Sequence, residues 1–139
     1  MSSQRYPALF TLDIGAYGGS GHGRTYSICI SCFCAAPDPD AQHSEIAAAH
    51  AAAKARYPEL DPATYCTEYE DRTLPPEVCA MWREVGVDMG DGWMYPYMFA
   101  ELCAAFLNLG NPDLKAKISM SPVRSIQEIF GMVGYGVFE

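Results

Sequence analysis

Apolar and polar residues alternate along the first part of the chain with the period of a strand. Over "ALFTLDI" (residues 8–14), Phe10, Leu12 and Ile14 fall on one side and Leu9, Thr11 and Asp13 on the other. That is the pattern of a half-buried strand. From residue 26 to 34 the alternation resumes. Tyr26, Ile28, Ile30, Cys32 and Cys34 face one way; Ser27, Cys29, Ser31 and Phe33 face the other. The glycine-rich "GAYGGSGHGR" (residues 15–24) between the two predicts the turn of a hairpin.

The period then becomes helical. Asp38-Pro39 is a helix start, with the aspartate as cap and the proline in the first turn. The following "AQHSEIAAAHAAAKAR" holds eight alanines in sixteen residues, ends on basic side chains and is stopped by Pro58. Its apolar stripe is narrow: Ile46, Ala49, Ala53 and Tyr57, with His50 alongside. Small alanines suit a helix lying close against a sheet. A short strand is expected at "TYCTEYE" (64–70). An amphipathic helix is expected at "PPEVCAMWREVG" (75–86), where Val78, Met81, Trp82 and Val85 recur at helical spacing before Gly86.

Residues 94–109 read as a helix apolar nearly all round. Only Glu101 and Asn108 are polar between Met98 and Leu109, so it belongs in the core or in an interface. "LKAKISM" (114–120) alternates as a strand. Ser121-Pro122 opens a short helix with Val123, Ile126, Ile129 and Phe130 inward, and "MVGYGVF" (132–138) closes as a strand. The order β-β-α-β-α-α-β-α-β predicts an α+β fold in one domain, residues 1–139. A mostly antiparallel sheet of four to five strands, the N-terminal hairpin plus C-terminal strands, is covered by three to four helices.

Composition narrows the class. Half of the 139 residues are apolar and 19% are charged, which excludes a disordered tail. No run approaches the roughly 18 apolar residues of a membrane span, and "MSSQRYPALF" lacks a signal-peptide pattern. A soluble, cytoplasmic protein with no membrane partner is expected. The six cysteines then read as buried thiols rather than as a disulfide framework.

Charge changes the picture more. The net charge is −8, and residues 59–91 contain nine acids (Glu59, Asp61, Glu68, Glu70, Asp71, Glu77, Glu84, Asp88, Asp91) against Arg72 and Arg83. This segment alone carries −7. Direct nucleic-acid binding, which needs a Lys/Arg surface, is disfavoured. A basic protein partner is favoured, because opposite charge steers encounter. Aromatic residues interleave the acids: Tyr65 and Tyr69 among Glu68, Glu70 and Asp71, then Trp93 and Tyr95 beside Asp88 and Asp91. Trp and Tyr supply much of the binding energy at interfaces. The candidate partner-binding set is therefore Tyr65, Glu68, Tyr69, Glu70, Asp71, Asp88, Asp91, Trp93 and Tyr95. Trp82, on an apolar stripe, is assigned to the core.

Other chemistry is thinner. Gly18-x-x-x-x-Gly23-Arg24-Thr25 resembles the phosphate-cradling pattern GxxxxGK[ST]. That pattern must open a helix, whereas a strand is expected here. His22 and Arg24 remain a fallback loop site for a ligand or for a small enzyme using nearby cysteines. Cys29-x-x-Cys32 has metal-ligand spacing without a second pair, so no metal and no cofactor are assigned. Glu101 is the one buried-looking carboxylate and so a candidate acid or base, although a residue so placed more often reaches the surface or bonds a neighbouring N–H. Size and charge match the profile of toxin-immunity proteins and phage-encoded anti-defence inhibitors. The expected function is thus a non-enzymatic inhibitor that occludes a basic partner such as a nuclease or a nucleic-acid-binding complex. The nearly all-apolar helix 94–109 raises self-association as a further option.

Overall fold

A computed structural model of the chain describes residues 4–17, 23–62, 74–90 and 96–119. Strands β1 (Tyr6–Tyr17) and β2 (Gly23–Cys34) pair antiparallel along their whole length, with Tyr6 opposite Cys34, Phe10 opposite Ile30 and Tyr17 opposite Gly23. This register puts Ala8, Phe10 and Leu12 on the same face as Ile28, Ile30, Cys32 and Cys34, and all seven are buried. A slip by one residue would turn that set toward solvent, so the alternation itself fixes the pairing. The hairpin expected from the period of two is present, with β1 longer at both ends and β2 starting earlier, at Gly23, than the pattern alone indicated.

Helix α1 (Pro39–Arg56) begins as expected: the Asp38 side chain accepts the Ala41 N–H at 3.0 Å, and Pro39 occupies the first turn. It buries Gln42, Ile46, Ala49, His50 and Ala53, and ends at Tyr57 before a 3-10 turn at Pro58–Leu60. Helix α2 (Pro76–Glu84) buries Cys79 and Trp82 and leaves Val78, Met81 and Val85 half-buried. Gly86, at φ +93°, turns the chain out of it.

Helix α3 (Pro96–Gly110) is the central core helix. Phe99, Ala100, Leu102, Cys103, Ala104, Phe106 and Leu107 are all buried between α1 and the sheet. Its outer stripe is Glu101, Ala105, Asn108 and Leu109, and Glu101 is exposed. Glu101 thus reaches the surface, the commoner outcome for such a residue: counting apolar neighbours does not show which way a single polar residue points on a 3.6-residue period.

The third strand, β3 (Lys117–Ser119), pairs antiparallel with β2 and gives the sheet order β1-β2-β3. It is shorter than the seven alternating residues suggested. Pro112–Leu114 forms a second 3-10 turn, in which Asn111 caps the Asp113 N–H at 3.1 Å, and Lys115 adopts a left-handed φ of 47°. Asn108 then holds Ala116 like a neighbouring strand, accepting its N–H at 2.7 Å and donating to its carbonyl at 2.9 Å. The fold is thus α+β, with three helices and a three-stranded antiparallel sheet among the described residues. Four to five strands are not found there. The strands expected at 64–70 and 132–138, and the helix expected after Ser121, lie outside the described residues.

One polar hub ties the layers together. Arg5 donates through Nη2 to the Phe33 carbonyl at 2.8 Å and to Glu45 Oε2 at 2.9 Å. Glu45 Oε1 accepts the Ala35 N–H at 2.7 Å, and Asn111 Nδ2 lies 3.5 Å from Oε2. Both ends of the hairpin and the C-terminus of α3 therefore meet one carboxylate on α1. Hydrogen bonds to charged groups are each worth more than neutral ones, and removing one partner strands the others. Glu45→Ala is expected to cost about 2 kcal/mol of stability on that basis, read as a lowered urea midpoint. A loss within a few tenths of a kcal/mol would show that the hub contributes no more than an ordinary surface pair.

Candidate functional site

The described part of the acidic segment is residues 59–62 and 74–90, with helix α2 at its centre. The helix packs against the 3-10 turn Pro58–Leu60, because Trp82 and Cys79 must turn inward and Leu60 is itself buried. That arrangement leaves Glu59, Glu77, Glu84 and Asp88 exposed. Carboxylates on this helix point outward for the same reason that Trp82 points inward: each lies off the apolar stripe.

The turn after α2 is braced. Val85 and Val87 N–H groups donate to the Trp82 carbonyl at 3.2 and 3.0 Å, and Gly86 N–H to Arg83 O at 3.0 Å. Asp88 Oδ1 accepts the Gly90 N–H at 2.9 Å, and Arg83 Nη2 donates to the Gly90 carbonyl at 2.8 Å. Asp88 is therefore an exposed carboxylate held by its own turn, and Arg83 fixes the same turn from the helix. Trp82 is fully buried, as assigned.

Of the other candidate partner-binding residues, Tyr65, Glu68, Tyr69, Glu70 and Asp71 lie outside the described residues, as do Asp91, Trp93 and Tyr95. In sequence these two stretches flank residues 74–90. Among the fallback pair, His22 also lies outside the described residues, while Arg24 sits on β2 opposite Ala16. Because β2 begins at Gly23, a strand and not a helix follows the glycine stretch. The N-terminal amides that a phosphate loop needs are absent from that position.

An ionic cluster around one buried carboxylate was not anticipated. Asp61 is 4% exposed, with Lys54 Nζ 3.7 Å from Oδ2 and His50 Nε2 3.8 Å from Oδ1. His50 also meets the Phe106 ring edge-on, centroids 5.4 Å apart. The signal was in the sequence: His50 and Lys54 are one helical turn apart, and the turn after Pro58 folds Asp61 back beside them. Asp61 is one of the nine acids of residues 59–91. Its burial beside Lys54 removes one charge from the acidic face.

Burial strips water from the His50 ring and holds its pKa below the ordinary 6.5; Asp61 pulls it upward and Lys54 downward, both less strongly. A histidine with a lowered folded-state pKa takes up its proton first in the unfolded chain. Its contribution to stability is therefore complete above about pH 6.5 and declines as pH falls below that value. Urea unfolding from pH 7.5 to 5.5 is expected to show this decline. The slope should be smaller in His50→Asn, and equal slopes in the two proteins would refute the assignment.

Cys32, Cys34, Cys79 and Cys103 are buried and Cys29 is half-buried, with no disulfide among them; Cys66 lies outside the described residues. Cys32 and Cys34 share the inner face, sulfurs 3.9 Å apart. Cys29 lies on the opposite face of the strand, so the pair with metal-ligand spacing is not a pair in space. Among the described residues no group of three or more His, Cys, Asp or Glu side chains is placed to hold a metal ion. None of the described helices is long and apolar enough to cross a membrane.

The chain matches no family model, no curated protein and no solved structure.

Proposed function

We propose that the chain is a small acidic binding protein, without catalysis of its own, that occludes the Lys/Arg-lined surface of a basic macromolecular partner. The observation that carries this reading is the charge asymmetry: residues 59–91 hold −7 of a net −8. The exposed positions of Glu59, Glu77, Glu84 and Asp88 around α2 support it. The acidic aromatic stretches around Tyr65–Asp71 and Asp91–Tyr95 would complete the surface. Carboxylates on such a face compete for the same cationic groups that hold nucleic-acid phosphates, so the fitting partner is a nuclease or another nucleic-acid-binding protein. An inhibitor of the immunity or anti-defence kind works in this way.

Affinity capture from the cells that produce the chain identifies the partner, and stopped-flow mixing then tests the mechanism. Glu68→Lys combined with Asp71→Lys reverses the charge at two positions of the acidic segment. It is expected to slow association at least tenfold at low ionic strength and to flatten the dependence of the rate on salt. Association unchanged at low salt would sink the proposal, as would capture of an acidic partner.

A further inference from the structure

We draw no further inference here: the strongest candidate, the open cleft between α3 and β3 lined by Glu101, Ala104, Asn108, Lys117 and Ile118, carries none because nothing in the structure shows what covers it.

Discussion

Replacing Gly110 with alanine is expected to destabilise the protein by about 3 kcal/mol, at the upper end for an added methyl in a packed interior. Gly110 is the last residue of α3, and it lies against the backbone of α1. A Cβ there would land on the Ala49 carbonyl oxygen, 2.7 Å from the Ala49 carbonyl carbon and 3.0 Å from the Ala53 nitrogen. These are backbone atoms held in a helical ladder, so no side-chain rotation relieves the contact. The two helices must separate, and the buried faces of Ala49, Ala53 and Leu107 lose their close packing with them. Gly86→Ala is the control. Gly86 needs a positive φ of 93° but has open space where a Cβ would stand, so its cost is backbone strain alone, about 1 kcal/mol. Urea unfolding of the two variants should rank Gly110→Ala well above Gly86→Ala. The reverse order would mean that α1 and α3 do not approach at this glycine.

That contact marks a limit of reading the chain by pattern. The run of alanines in α1 announces close packing, and a sheet is the natural partner to expect. The structure gives the closest approach to α3 instead, at a glycine that reads from sequence only as a helix stop. Local signals served well where the cause is local. Asp38 caps α1, Gly86 ends α2, and the alternation in β1 and β2 fixes their inner face. They failed where the cause lies in distant residues. Lys115 and Ala116 alternate as strand residues should, yet Asn108, eight residues before Ala116, takes over that backbone. β3 starts only at Lys117 because Leu114 closes the 3-10 turn, Lys115 is left-handed and Asn108 holds both backbone polar groups of Ala116.

The same division holds for the candidate site. The acidity of residues 59–91 is a property of composition and is legible at once. The direction in which each carboxylate points is a property of packing. Glu101 sits among apolar neighbours but falls on the outer stripe of α3, whereas Asp61 sits among acids and prolines but is buried. Asp61 became internal because α1 stops at Pro58 and the chain reverses within three residues, bringing it back to Lys54 and His50. A count of charges along the chain does not contain that reversal.

Trp82 gives the sharpest separation of stability from binding within the acidic segment. Trp82→Ala is expected to cost about 3–5 kcal/mol, the range for removing a large buried aromatic and leaving a cavity. Its side chain is wholly inaccessible, so its truncation leaves a cavity inside the core. Trp82→Phe fills part of the same space and should lose less than half as much. Neither change removes an exposed group. Under conditions where the variant stays folded, Trp82→Phe should therefore bind the captured partner within about threefold of the parent, a difference under 1 kcal/mol. The opposite split is expected for Trp93→Ala: loss of partner affinity with a urea midpoint close to that of the parent, as for an interface aromatic. Equilibrium unfolding and binding measured on the same three variants decide the matter. If Trp82→Phe lost affinity while keeping its stability, or Trp93→Ala lost stability while keeping its affinity, the division of aromatics between core and binding surface would be wrong.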